Sequence, residues 1–277
     1  MRAAAAPASP DLAAIARETK DAQDRVARIA PFTARYPGFD VPSGYAVARR
    51  VSEQRRAEGW VPLGRKIGFT NSSLWPVYGV HEPIWGTMYD RTVVRLDGAK
   101  GSLSVRAFAE PRIEPEIAFG LRSVPSPGSD PAEILRSVEW VAHGFEIVQS
   151  HFPGWKFRAA DTVADNGLHG ALLLGPPVEV SRLGADPVGS LRSFSVELSC
   201  DGAAKETGLG SNVLGSPLAA LAHLASALAN QPGSELRPGE IVTTGTLTAA
   251  YRVGAGEIWT TKIGGIALPG LELAFSA

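Results

Sequence analysis

The segment Arg112-Ile-Glu-Pro-Glu-Ile-Ala-Phe119 constrains this chain more than any other. Polar and apolar residues alternate there, and in a strand side chains two apart share a face. Glu114 and Glu116 then point one way, while Ile113, Pro115, Ile117 and Phe119 point the other way, into a core. A second segment, Trp140-Val-Ala-His-Gly-Phe-Glu-Ile-Val148, sets Glu146 inside an apolar run, where an unpaired carboxylate is costly. Three convergent carboxylates with few nearby cations suit a hard divalent ion such as Mg²⁺. A plainer reading stands beside this one. Glu110, Arg112, Glu114 and Glu116 also fit a half-solvated strand, and a single Glu in an apolar strand is often a salt-bridged core residue.

The rest of the composition narrows the field. Hydrophobic residues make up 44% of the 277 and charged residues 20%, the profile of an ordinary soluble globular protein with ample core. A formal charge of −1 gives no reason to expect nucleic acid or an acidic membrane as partner. Cys200 is the one cysteine, which excludes an intrachain disulfide and a cysteine-based zinc site. No apolar stretch is read as approaching the ~20 residues needed to span a bilayer, and the N-terminus lacks a signal core. A reducing, cytoplasmic setting is the expectation.

Spacing organises the chain into a disordered start (1–10), a helical N-terminal region (11–59) and a β-rich α/β body (60–277). Leu12, Ile15, Ala16, Ala22, Val26 and Ile29 recur at helical spacing, and a second helix is expected near 43–58 with Ser43 as N-cap. Strands are expected over 64–70, 92–96, 113–121, 138–148, 171–174, 194–200, 240–244, 257–263 and 271–275. Helices interrupt them near 131–137 and 217–229, the latter opened by Ser216-Pro217.

Other residues carry weaker signals. In Leu63-Gly-Arg-Lys-Ile-Gly-Phe-Thr70, a strand puts Lys66, Gly68 and Thr70 on one face, where glycine lets substrate approach and an ammonium polarises it. The competing reading is a surface lysine on an edge strand. Thr243-Thr-Gly-Thr-Leu-Thr248 ends a strand in hydroxyls and backbone N–H groups that suit a carboxylate, though threonine is common in strands. Gly208-Leu-Gly-Ser-Asn-Val-Leu-Gly215 lacks phosphate-loop spacing and reads as a tight turn bringing backbone close to a neighbour. The histidines show no paired zinc spacing, and His169 is the one that stands out. Asp161 and Asp165 are either outer carboxylates of a site or turn formers, with turn formation favoured for Asp161.

Taken in order, these segments resemble the 2-keto-4-pentenoate hydratase and 4-oxalocrotonate decarboxylase group of the fumarylacetoacetate hydrolase superfamily. The matching pieces are Gly64–Thr70, Tyr78-Gly-Val80 with Pro83 and Gly86, Ala109–Phe119, Phe145–Val148, Asp161–Asn166, Val213–Leu218 and Pro238–Thr248. The resemblance implies a mixed β-roll with outer helices, an α/β (α+β) fold. It implies that Glu114, Glu116 and Glu146 hold Mg²⁺ or Mn²⁺, which chelates a 2-keto acid and stabilises an enolate. It makes Lys66 and Asp165 the catalytic candidates, and Gly68, His169, Thr246 and Thr248 the substrate-binding ones. The activity implied is a lyase on a 2-oxo or 2-hydroxydienoic acid, foremost a hydratase. Its alternatives are a 4-oxalocrotonate-type decarboxylase, an acylpyruvate hydrolase and a non-catalytic 2-keto-acid binder. Such proteins assemble into homo-oligomers.

Departures from the pattern fall at the substrate end. Gln149 stands where an acid is frequent, His169 where a small hydroxyl residue is common, and His81 where hydratases often carry Asp. Trp75, Tyr78 and Trp85 make the loop before Asp90 unusually aromatic. The hydrolase alternative is disfavoured because no His–Glu pair that would activate water can be placed; adjacent His81 and Glu82 would diverge on a strand.

Overall fold

The computed structural model describes residues 10–72, 75–78, 80–229, 231 and 234–277. The expected disorder of residues 1–10 lies, save for Pro10, outside them. The chain begins with α1 (Leu12–Arg25), α2 (Phe32–Arg35) and α3 (Val41–Ala57). Next come β1 (Pro62–Gly68), α4 (Trp75–Tyr78), β2 (Ile84–Tyr89), β3 (Val93–Arg95), β4 (Lys100–Ser104) and β5 (Arg112–Leu121). Then α5 (Pro131–Arg136), β6 (Val138–Val148), α6 (Ala159–Ala164), β7 (His169–Leu174) and β8 (Val178–Glu179) follow. The chain ends with α7 (Pro187–Ser193), β9 (Ser195–Cys200), β10 (Ala203–Leu209), α8 (Pro217–Ala229), β11 (Ile241–Thr246), β12 (Tyr251–Arg252), β13 (Ile258–Gly264) and β14 (Glu272–Ser276).

Two mixed sheets form the body. The larger runs β2-β1-β11-β5-β6-β7-β3, with β12 beside β5 and β8 beside β6; the smaller runs β10-β9-β13-β14-β4. Alternation in β5 sends Ile117 and Phe119 into a core shared with α8, where Leu218, Leu221, Leu224 and Leu228 are buried. Each such side chain stabilises the fold by roughly 1.5–3 kcal/mol relative to exposure. Ile113, Phe145 and Leu173 fill the space between the sheets against Leu198, Trp259 and Phe275.

The helical N-terminal region does not have a core of its own. Ile15, Phe32, Val47 and Val51 pack with Val148, Phe152, Ala160 and Leu168 of the body. The change of character near residue 60 marks secondary structure, and one hydrophobic cluster spans it. Asp161 ties the same joint: its carboxylate accepts from the Thr33 N–H (2.9 Å), the Thr33 hydroxyl (2.6 Å) and the Arg158 N–H (2.9 Å). It is thus a buried anchor between α2 and α6, and the turn-forming role expected of it is too modest.

Three further expectations change. Asp40, and not Ser43, caps α3, accepting from the Ser43 N–H at 2.9 Å, because the helix starts two residues before Ser43 with Pro42 in its first turn. Strands β2, β4, β8, β10 and β12 and helices α2, α4, α6 and α7 escaped the sequence reading, being short or broken by glycine. The stretch Gly210–Ala229 does reach 20 residues with mean hydropathy 1.3, contrary to the reading above. Only Pro217–Ala229 of it is α-helix, 13 residues or about 20 Å, with its leucines turned into the core. The glycine run before it brings backbones together as expected: a Cβ on Gly208 would sit 2.2 Å from the Leu247 carbonyl oxygen.

Candidate active site

Strand register assembles the acidic cluster. Glu114 on β5 lies directly opposite Glu146 on β6, so both side chains leave the same face. Glu116, two residues on, faces Gly144, which offers no side chain to block it. One oxygen from each of the three carboxylates lies within 4.8 Å of the others. Glu116 and Glu146 are fully buried, so the half-solvated-strand reading fails for them.

Lys66 completes the cluster from β1. It is 2% exposed on an internal strand between β2 and β11, which overturns the surface-lysine alternative. Its Nζ lies 3.2 Å from Glu146 Oε2 and donates to the Gly167 carbonyl at 3.0 Å. Between β1 and β5, strand β11 bulges after Thr243 and rejoins at Thr246. Gly245 in this bulge has φ +94° and presents its N–H to Glu116 Oε2 at 2.9 Å. A Cβ there would fall 1.9 Å from the Thr70 hydroxyl, so the bulge requires glycine.

Charge in this cluster is unevenly shared. Burial, with the Glu146 charge adding to it against Lys66 and Arg112, raises the Glu114 carboxyl to about 7. Burial and the charges of Glu146 and Glu114 push Glu116 well above the usual carboxylate range. Burial acts to raise Glu146 too, but Lys66 and the hydrogen bond from His169 outweigh it and hold this carboxyl low. Burial disfavours the Lys66 ammonium, yet Glu146, Glu114 and Glu116 together raise its pKa. One ammonium cannot offset three buried carboxylates. Glu116 Oε1 and Glu146 Oε2 find no N–H or O–H donor among the described residues: the two carboxyls bear directly on each other, and Glu146 Oε2 pairs with Lys66 at 3.2 Å. Convergent, under-neutralised hard oxygens are the donor set a divalent cation fits.

A cavity of about 150 Å³ opens beside this cluster, with Lys66, Glu114 and Arg112 at its polar end. Val148, Trp155, Phe157, Leu168 and Ala250 form its apolar wall. The Arg112 guanidinium lies 3.9 Å from the Trp155 ring centroid. Gly68 and Thr246 line the cavity as expected for substrate contacts, and a Cβ on Gly68 would sit 3.6 Å from the Lys66 ammonium nitrogen.

Three expected site residues stand elsewhere. His169 backs Glu146: Nδ1 donates to Glu146 Oε1 at 2.8 Å, and Nε2 shares the Thr92 hydroxyl at 2.9 Å. Both ring nitrogens are engaged and the ring lies off this cavity's wall, which places it to orient a carboxylate. Thr248 is 1% exposed and spends its hydroxyl on the Ala249 carbonyl. Asp165 is also off the cavity wall, bonded to His151 Nδ1 at 2.7 Å and Gln23 Nε2 at 3.0 Å.

Asp165 does border a feature the sequence reading missed. Asn166, Gly167 and Leu168 all have positive φ, at 53°, 63° and 63°. Left-handed backbone at non-glycine residues costs on the order of 1–3 kcal/mol each and persists only when held. The Asn166 amide holds it, accepting from the Thr87 N–H and donating to the Thr87 carbonyl, each at 2.8 Å. The strained turn aims the Gly167 carbonyl at Lys66. Arg112 was the most accessible of the missed residues, since it lies two before Glu114 on the same strand face.

The sequence from 79 to 268 matches the family described as fumarylacetoacetate (FAA) hydrolase, C-terminal. The chain belongs to that family. A 2-hydroxyhexa-2,4-dienoate hydratase of Comamonas testosteroni is 33% identical over 240 residues, 86% of this chain and 88% of the relative. A 4-oxalocrotonate decarboxylase of a Pseudomonas species is 32% identical over 214 residues, 76% and 78% of the two chains. The fold superposes with TM-score 0.87 on the 4-oxalocrotonate decarboxylase of Pseudomonas putida G7, solved with magnesium and adipate. That match covers 95% of this chain and 97% of the other at 26% identity. The fumarylacetoacetate-hydrolase-like fold expected from the sequence is therefore the fold observed.

Within this family, the departures noted above acquire places. Gln149 accepts from the Ala109 N–H at 3.1 Å, a structural bond off the cavity wall. His81 is exposed in the approach to β2. Trp75 donates to the Phe69 carbonyl at 2.8 Å and Trp85 stacks on Tyr45, while the Tyr78 side chain lies outside the described residues. The cavity's aromatic wall comes from Phe69, Trp155 and Phe157 instead. Two His–carboxylate pairs do exist, His169–Glu146 and His151–Asp165, but neither histidine lines the cavity.

Proposed function

We propose that the chain is a divalent-metal-dependent lyase acting on a 2-oxo or 2-hydroxydienoic acid, foremost a hydratase of the 2-keto-4-pentenoate type. The observation that carries the proposal is the convergence of Glu114 with the buried Glu116 and Glu146, with Lys66 at the cluster's edge. The three glutamates would hold the ion, Mg²⁺ or Mn²⁺. When bound, it supplies a Lewis acid that draws electron density from a 2-oxo group.

The chain's own groups do the rest. Lys66 has three N–H donors. One goes to the Gly167 carbonyl and another faces Glu146, which leaves the third to the cavity for a substrate oxygen or a proton transfer. His169 and Gly245 fix Glu146 and Glu116, so the carboxylates need not reorganise when substrate enters. Val148, Trp155, Phe157 and Leu168 exclude water from the substrate tail.

The decarboxylase reading also has support in one feature. Arg112, at the cavity wall and stacked on Trp155, suits a substrate tail that ends in a second carboxylate. The proposal includes a reducing, cytoplasmic setting, supported by the single free cysteine, Cys200, and a homo-oligomer, to be read by light scattering. The test is an ultraviolet turnover assay with 2-hydroxypenta-2,4-dienoate and 4-oxalocrotonate, with Mg²⁺ and with EDTA. Metal-dependent loss of one absorbance identifies the branch. Silence on both substrates, with oxalate still bound in the presence of Mg²⁺, means a changed substrate or a non-catalytic 2-keto-acid binder.

A further inference from the structure

A second cavity, of about 250 Å³, lies between α3 and the β1–β2 edge of the large sheet. Arg49 and Arg56 line it from α3, seven residues apart and so on one helix face, and both are exposed. Among the described residues neither forms an ion pair, although Glu53 shares their face. The floor is Arg65, whose side chain leaves β1 on the face opposite Lys66. Arg65 is 6% exposed. Its Nη1 contacts the Gly64 carbonyl at 3.1 Å and Glu240 at 3.6 Å, while its Nε has no acceptor. Beside it the Trp85 indole N–H is also buried without an acceptor.

Buried donors left without acceptors cost about 1–3 kcal/mol each, and an oxyanion with several lone pairs relieves that cost. Tyr45 stacks on the Trp85 ring (5.1 Å between centroids) and Arg65 lies 5.6 Å from the same ring, so the ligand is not a flat ring inserted there. Three guanidiniums face Glu53 in the cavity, with Glu240 behind Arg65, and their many N–H donors suit a compact oxyanion with several lone pairs.

We propose that this cavity binds a phosphate-class oxyanion, held by Arg49, Arg56, Arg65 and the indole N–H of Trp85. The site is separate from the carboxylate cluster and stands whether or not the metal reading holds.

The test is calorimetric titration of inorganic phosphate into Mg²⁺-loaded protein at low, fixed ionic strength, with acetate as the comparison anion. Saturable binding of one phosphate per chain, with acetate much weaker, is expected. The exposed double substitution Arg49→Ala/Arg56→Ala should weaken phosphate by about tenfold or more. Trp85→Phe, which keeps the ring and removes the donor, should weaken it several-fold. Glu146→Gln should leave it unchanged. The proposal is overturned if phosphate gives no saturable heat, if the double variant binds as well as wild type, or if Glu146→Gln abolishes binding, which would locate the phosphate at the metal site.

Discussion

Replacing His169 by Ala tests whether Glu146 is held in place for a metal or only buried. In the native protein His169 Nδ1 donates to Glu146 Oε1 at 2.8 Å, and the ring is anchored from behind by Thr92 at 2.9 Å. Glu146 is fully buried, so no water shell replaces the lost donor at full value. A hydrogen bond to a charged group contributes about 1.5–3 kcal/mol, which corresponds to roughly 10–100-fold in a binding constant. Loss of an outer partner of a metal ligand has the same scale. The assay is calorimetric titration of Mn²⁺ into metal-free His169→Ala and wild-type protein, with the Mg²⁺ dependence of turnover followed in parallel. Thr92→Val, which frees the far side of the ring and leaves the Glu146 contact, should cost less. Unchanged Mn²⁺ affinity in His169→Ala would refute the reasoning.

Three further outcomes follow from the same geometry. Lys66→Met should abolish turnover and leave Mn²⁺ affinity within about tenfold, since the ammonium pairs with the ligands without being one; activity above about a tenth of wild type would contradict its role. Asn166→Ala should lower kcat through the loosened Gly167 carbonyl with little change in metal affinity, and Asn166→Asp, which keeps the bond from the Thr87 N–H, should recover part of it. His143, buried and held neutral by burial with a pKa lowered to about 4, should make the fold acid-sensitive. The unfolded chain takes up that proton near pH ~6.5, so the His143 contribution to stability is full above that value and falls by about 3 kcal/mol as pH drops to about 4. Urea midpoints at pH 7.5 and 4.5 should therefore diverge less in His143→Gln than in wild type.

Much of the site was visible as period-two alternation, because that rule needs only one strand. It put Glu114 and Glu116 on one face and Lys66 and Gly68 on another. It did not say that Glu146 would lie opposite Glu114, since that depends on the β5–β6 register. His169 reaches Glu146 across the β6–β7 pairing, which no spacing within either segment encodes. The left-handed turn at Asn166–Leu168 was hidden for another reason: two of its three residues are not glycine, so tertiary bonds impose a conformation that local propensity opposes. Strand β2 was missed because Gly86 interrupts its apolar run; that glycine is needed because a Cβ there would lie 2.3 Å from the Asn166 carbonyl oxygen. Helices α1 and α3 were legible from their spacing, but the short α2 between them and their shared core with Val148 and Phe152 were not.

The central claim is that Glu114, Glu116 and Glu146 form one divalent-metal site. It is tested most directly by Mn²⁺ titration of wild-type protein and Glu146→Gln, followed by paramagnetic resonance of the free ion, with circular dichroism to confirm folding. One Mn²⁺ bound per chain in the wild type, and loss of that binding in the folded variant, is the predicted result. Equal Mn²⁺ affinity in the two proteins would contradict it.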